Sequence, residues 1–263
     1  MQTGSPALLE LRNVTVVRGE NVALDKLSLR IEAGEHVCIL GPNGSGKSTL
    51  IKAITRECYP VAQEGSSMSI LGRSLWNVFE LRSKLGIVSP DLLSACTTDA
   101  TGLDVVLSGF FSSTRIFPNH HPEAEHRARA EASLERLGVS YLAKRPVMEM
   151  SSGEAKRTLI ARALVHDPQT LLFDEPGNTL DISSQVELRD TMRGLAGNGL
   201  GILLVTHYVS EIIPEIERVV LLERGQVLAD GAKQEVLTSE RLSALFRVRV
   251  QLFREDGYFY VHA

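Results

Sequence analysis

No apolar run in this 263-residue chain approaches the roughly 18–20 residues that a bilayer-spanning helix needs. Met1–Pro6 carries no basic start followed by an apolar stretch, so no secretory signal is expected. These two absences lead to the expectation of a cytoplasmic chain that reaches a membrane only through a partner. Cysteine is scarce. Cys38, Cys58 and Cys96 are scattered, odd in number and without a Cys-x-x-Cys pair. That excludes a zinc ribbon and suits a reducing compartment. Cys38 lies in an apolar run and reads as a small core residue. No Lys/Arg cluster with interleaved aromatics occurs, and the formal net charge is -4. A nucleic-acid partner is therefore not expected. Internal repeats and low-complexity linkers are missing too, which leaves one large domain or two closely joined lobes. With 43% hydrophobic and 23% charged residues, the chain has enough apolar material for a sizeable core.

Apolar periodicity supplies the outline. Leu9 and Leu11, then Val14 and Val16, alternate, as do Leu27, Leu29 and Ile31; both segments read as half-buried antiparallel strands. Val37–Leu40 is a short apolar strand running into a Gly-rich loop, and Thr49–Thr55 should be helix. From about Pro90 to Met150 strand-like runs give way to helical spacing, with Ala130, Leu134 and Leu137 on one stripe. A helical insertion at about 90–155 is expected. Apolar strands return at Leu171–Phe173, Ile202–Val205 and Val219–Leu222, separated by helical segments such as Gln185–Leu195. Strands alternating with helices argue for a mainly parallel sheet covered on both faces. The end of the chain, about 246–263, reads as a hairpin turning at Asp256-Gly257. The expected fold class is α/β: a P-loop NTPase core, an N-terminal antiparallel β subdomain and an inserted α-helical subdomain, in a single ATPase domain over 1–263.

Gly41-Pro42-Asn43-Gly44-Ser45-Gly46-Lys47-Ser48 fits the phosphate-loop pattern G-x-x-x-x-G-K-[ST]. Glycines let backbone N–H groups approach phosphate oxygens with no Cβ in the way. The helix that follows, from Thr49 on, aims its positive end at the same anion. Lys47 neutralises the β- and γ-phosphates, and Ser48 offers a hydroxyl to Mg²⁺. A chance Gly-rich turn would need neither the strand before it nor the helix after it.

Leu171-Leu172-Phe173-Asp174-Glu175 is an apolar strand ending in two acids. Alone, such a pair usually marks a strand end facing solvent. Downstream of a phosphate loop, Asp174 becomes the candidate to hold Mg²⁺ through water, and Glu175 to polarise the attacking water. His207 follows another strand and is the candidate to contact the γ-phosphate or orient Glu175. His120, His121 and His126 sit in a Pro-bounded polar segment, where a surface loop is a better reading than a metal site.

Ser151-Ser152-Gly153-Glu154-Ala155-Lys156-Arg157 resembles the LSGGQ-type signature of ATP-binding cassette (ABC) ATPases. It stands upstream of Asp174-Glu175-Pro176. Asn178-Thr179-Leu180-Asp181 resembles the family's D-loop, and Thr206-His207 its switch histidine. The resemblance spans nearly the whole chain, with the motifs in family order. It implies ATP and Mg²⁺ as cofactors and two cassettes packed head to tail, as a homodimer or with a different cassette. Each ATP would lie between one chain's phosphate loop and the other's Ser151, Ser152, Gly153 and Glu154. Asp181 would contact the partner cassette. The resemblance further implies attachment to the cytoplasmic face of a membrane through an integral permease, with a solute-binding protein as a further partner of an importer.

This sequence departs from the family in places. Met150 and Ser152 replace the signature's first leucine and first glycine. The aromatic that stacks on adenine falls near Arg18, whose guanidinium can stack on a purine, which leaves GTP open beside ATP. The glutamine after Leu85-Gly86-Ile87-Val88 falls near Pro90, which has no side-chain hydrogen bond to offer; Asp91 is its neighbour. The tail around Glu235-Val236-Leu237-Thr238 resembles cassettes of metal-chelate and cofactor importers, with molybdate-type cassettes as further relatives. The alternatives are a stand-alone ATPase acting on a protein complex without a permease, and a nucleotide-dependent switch with little turnover.

Overall fold

The structure, a computed structural model, describes residues 6–263. The reading of Met1–Ser5 as part of a segment without a secretory signal lies outside the described residues. In chain order the elements are β1 (Leu9–Arg18), β2 (Asn21–Ile31), β3 (Val37–Leu40), α1 (Lys47–Ile54), β4 (Ser67–Ile70), α2 (Val78–Lys84) and β5 (Leu85–Val88). Next come α3 (Pro90–Cys96), α4 (Gly102–Leu107), α5 (Ala124–Arg136), α6 (Ser152–Leu164), β6 (Thr170–Asp174) and α7 (Ile182–Gly197). The chain closes with β7 (Gly201–Thr206), β8 (Arg218–Glu223), β9 (Gln226–Ala232), α8 (Lys233–Val236), α9 (Ser239–Phe246), β10 (Gln251–Glu255) and β11 (Tyr258–His262). These fall into two compact units. One gathers the chain up to Val78 and from Gly201 onward; the other is Phe79–Leu200.

In the first unit, β2, β1 and β4 form an antiparallel sheet in that order. Leu9 pairs with Ile31 and Ile70, and Leu11 with Leu29 and Met68, so one face is continuous apolar surface. The alternation in β1 changes parity between Leu11 and Val14 because the register shifts there. Asn13 takes a left-handed φ of 50° and donates its backbone N–H to Ser28 Oγ at 2.9 Å, which is how a bulge absorbs an extra residue. A second layer runs β7-β3-β8-β9. β3 is parallel to β7 and β8, and β9 closes that edge antiparallel. Every residue of β3 and β7 is buried, as a parallel strand covered on both faces requires. The terminal hairpin pairs β10 with β11 around Asp256 and Gly257, both at positive φ, as a two-residue turn with native twist demands. Strand pairing starts at Gln251, opposite His262.

In the second unit β5 and β6 are parallel, with Gly86 beside Leu171 and Val88 beside Phe173. Helices α4, α5 and α6 enclose a core that includes Val106, Ala130, Leu134, Leu142, Ala161 and Val165. Leu137, expected on that stripe, is only partly buried. Leu188, Met192 and Leu195 of α7 are buried on one helix face, as their spacing predicts. The architecture is thus α/β with a mixed, mostly parallel central sheet, an antiparallel β subdomain and a run of helices. No helix among the described residues is long and apolar enough to cross a membrane.

Candidate nucleotide site

The phosphate loop bridges the end of β3 and the start of α1. Its entry is pinned where the Gly41 N–H donates to the Thr206 carbonyl at 3.2 Å, beside His207. Its far side is pinned where the Gly225 N–H donates to the Ser45 carbonyl at 2.8 Å. Helix α1 begins one residue before Ser48, earlier than the sequence pattern suggested, so Lys47 and Ser48 both lie in its first turn. Gly46 occupies the N-cap at φ 108°, a conformation closed to other residues, and an added Cβ would lie 2.6 Å from the Ala23 carbonyl oxygen. Gly41 is equally constrained: a Cβ there would lie 2.3 Å from the Leu222 carbonyl oxygen.

The electrostatics favour an anion. No side chain caps α1, and no acid stands in its first turn. The helix therefore presents N–H groups that a phosphate can satisfy. Lys47 is buried, and its Nζ donates to the carbonyls of Gly41 at 2.8 Å and Pro42 at 3.1 Å. The cation is thereby held inside the loop. Ser45 Oγ is also buried and has no hydrogen-bond partner, a polar atom that costs free energy unless something meets it. Asn43, Gly44 and Ser48 are exposed, and Thr49 is buried. These features fit a polyphosphate. Arg18 lies exposed at the end of β1, near enough to Cys58 to oppose the upward push that burial gives that thiol.

The second unit carries the acids and the signature. Asp174 ends β6 and is half-buried; Glu175 follows at φ 43°, outside the strand's geometry. Ser151 is the N-cap of α6. Its hydroxyl accepts from the Glu154 N–H at 3.3 Å, and Glu154 accepts from the Ser151 N–H at 2.8 Å. That reciprocal box holds the Glu154 carboxyl below its ordinary range, chiefly through the Ser151 backbone N–H, with Arg145 and Tyr141 assisting. Ser152 is exposed, while Gly153 is buried with Ser184 Oγ 3.0 Å from where its Cβ would be. Asp181 caps α7 by accepting from the Ser184 N–H at 2.7 Å, which lowers its pKa. Pro90 opens α3 at the position where a missing N–H costs nothing, with Ser89 as cap.

His207 packs against Tyr208 with ring centroids 3.9 Å apart. In the other unit, His120 stacks on Phe111 at 4.4 Å and His126 packs against Phe110 at 4.5 Å with the rings tilted. His120 Nδ1 accepts from the Phe117 N–H and fastens its loop; His126, expected in the same loop, lies instead in the first turn of α5, where its Nδ1 accepts from the Glu123 N–H and caps the helix. His121 is exposed. No cluster of three or more His, Cys, Asp or Glu among the described residues is arranged to hold a metal.

The sequence matches the ABC transporter family over residues 24–178, from β2 through the phosphate loop and signature to the turn after Glu175. This chain belongs to that family. It is 33% identical over 262 residues to the ABC transporter ATP-binding protein YlmA of Bacillus subtilis strain 168, covering 97% of each chain. It is 33% identical over 261 residues to the hemin import ATP-binding protein HmuV of Bordetella avium strain 197N, covering 95% of this chain and 97% of that one. Among solved structures it resembles the dimeric post-hydrolysis state of the ATP-binding cassette MJ0796 bound to ADP and Pi. That match has TM-score 0.69 and 28% identity and covers 85% of this chain and 98% of that one. The ABC chain described here is an ATP-binding, ATP-hydrolysing cassette.

One residue of the signature-like stretch of this ABC cassette has no role in the sequence analysis. Lys156 is 5% exposed. It falls one turn before Leu159 and Ile160 on the buried stripe of α6, and a charge on a core stripe is a signal the sequence does carry.

Proposed function

We propose that this cassette couples ATP hydrolysis to import of a metal chelate or cofactor through a separate integral membrane permease. The hemin import relative, matched over nearly its whole length, supports that cargo class. Two copies would close head to tail over two ATP molecules at the cytoplasmic face, with a solute-binding protein delivering cargo outside. The observation that carries the ATP part is the uncapped, acid-free start of α1 with Lys47 held beneath it.

In this proposal the loop Gly41–Thr49 wraps the β- and γ-phosphates, which the backbone N–H groups of Asn43, Gly44 and Gly46–Thr49 and the Lys47 ammonium bind, and Arg18 lies against the base. Mg²⁺, when bound, would neutralise charge on those phosphates, and the Ser48 hydroxyl and the Asp174 carboxylate are the residues to hold it. Glu175 orients the attacking water and accepts its proton. His207 contacts the γ-phosphate. Ser151, Ser152, Gly153 and Glu154 close over the second copy's γ-phosphate, and Asp181 meets the second copy. The cap on α6 and the trans contact are compatible, because a Ser151 hydroxyl accepting from Glu154 N still has its own proton to donate.

A stand-alone ATPase without a permease is the second reading. It is favoured by Pro90, which places a helix start where a coupling side chain would otherwise stand. Affinity purification of the Glu175→Gln variant from native membranes with ATP present decides between them. Import predicts a polytopic membrane protein in stoichiometric amount. A soluble assembly with no membrane protein would contradict it.

A further inference from the structure

The Nζ of Lys156 donates to two backbone carbonyls, that of Pro176 and that of Asn178, the latter at 3.1 Å. Both belong to the turn that immediately follows Glu175. Asn178 N–H donates back to the Glu175 carbonyl at 3.1 Å, and Leu180 N–H to that of Gly177 at 3.2 Å. Within this short turn Glu175 sits at φ 43° and Thr179 at φ 68°. Left-handed backbone at non-glycine residues persists only where the surroundings over-determine it. A buried ammonium donating to two carbonyls is such a constraint, and hydrogen bonds from a charged donor are the stronger kind.

We propose that Lys156 is a positioning residue for hydrolysis: anchored in α6, it holds the turn that aims the Glu175 carboxylate. The proposal rests on Glu175 being the group that orients the water. Lys156 acts through the peptide units of Pro176 and Asn178. Misplacing a reacting group by about 1 Å costs on the order of 10²-fold in rate, so a loosened turn should appear in kcat and not in nucleotide affinity. A methionine has the length of this side chain without its donors; a glutamine keeps an N–H donor without the charge.

The experiment compares wild type, Lys156→Met, Lys156→Gln, Glu175→Gln and the double variant Lys156→Met/Glu175→Gln. It measures ATPase kcat and KM, the Kd for a fluorescent ATP analogue, and thermal melts. Expected is a kcat at least tenfold lower for Lys156→Met with Kd within twofold of wild type, at least threefold recovery in Lys156→Gln, and no further loss in the double variant relative to Glu175→Gln. Wild-type kcat in Lys156→Met, a parallel loss of ATP affinity, or equal kcat for the Met and Gln variants would overturn the proposal. If Glu175→Gln itself turns over at the wild-type rate, the assignment of Glu175 fails, and the role of Lys156 fails with it; a slow Glu175→Gln beside a fast Lys156→Met sinks only the latter. Should Lys156→Met not fold, Lys156→Gln alone must show a kcat decrease of at least twofold at unchanged Kd that vanishes in the Glu175→Gln background. An unchanged kcat there would also overturn the proposal.

Discussion

The ammonium of Lys47 lies 2.8 Å from the carbonyl oxygen of Gly41, the residue that opens the same loop. A cation held beneath the turn prepays the ordering of a flexible side chain, so phosphate meets a charge already in place. Replacing Lys47 by methionine should weaken ATP binding at least tenfold and abolish turnover while the melting temperature moves little. Titration calorimetry alongside a thermal melt reads both.

Gly46 gives the complementary case, where backbone and not charge is at stake. An alanine there would be forced to φ 108° with its Cβ 2.6 Å from the Ala23 carbonyl oxygen. The expected cost is about 1–3 kcal/mol, a fall of several degrees in Tm for a chain of this size, with loss of ATP binding. An unshifted Tm in Gly46→Ala would show that the loop takes another conformation.

Ser151 is both a helix cap and a proposed trans ligand, and one substitution separates the two. Aspartate caps a helix as well as serine does, but it would place a negative charge against the second copy's γ-phosphate. Ser151→Asp should keep Tm within a few degrees and lose ATP-driven dimerisation, measured by light scattering in the Glu175→Gln background. Ser151→Ala should instead lose about 1 kcal/mol of stability. ATP-driven dimers of normal affinity in Ser151→Asp would remove Ser151 from the interface.

His166 supplies a pH dependence. Burial pushes its pKa below the ordinary value near 6.5, and Arg129, Arg162 and His126 push the same way, against the Gly109 carbonyl 3.1 Å from Nε2. The unfolded chain therefore takes up this proton at higher pH than the folded one. The contribution is full above about 6.5 and is lost as pH falls through the depressed folded value. Between pH 7 and 5 the Tm of wild type should fall more steeply than that of His166→Asn. Parallel slopes would contradict the assignment.

How much of this was legible in the sequence depends on how local the cause is. The phosphate loop, the strand ahead of it and the inward face of α7 follow from adjacent residues and regular apolar spacing. Strand β9 did not, because it alternates between exposed and half-buried positions with Ala, Asp and Gly in its second half, leaving no apolar signal. The four-residue strands β4 and β5 are too short to show a period, and β5 contains Gly86. The break in β1 was visible as a change of parity, but its cause, a left-handed Asn13, was not. Near the acids, the sequence supplied Asp174 and Glu175 by type and order. It could not supply the left-handed conformation at Glu175, in a turn whose carbonyls are bonded by Lys156, nineteen positions earlier in α6.

Whether the loop at Gly41–Ser48 holds ATP with Mg²⁺, and whether Glu175 helps to cleave it, is decided by titration of purified wild type, Lys47→Met and Glu175→Gln with ATP, with and without Mg²⁺, followed by phosphate release from the same samples. Expected are Mg²⁺-dependent binding at one site per chain in wild type and Glu175→Gln, binding at least tenfold weaker in Lys47→Met, and release at least tenfold slower in Glu175→Gln than in wild type. Equal binding by Lys47→Met would remove Lys47 from the phosphate site, and equal phosphate release by Glu175→Gln and wild type would remove Glu175 from the cleavage step.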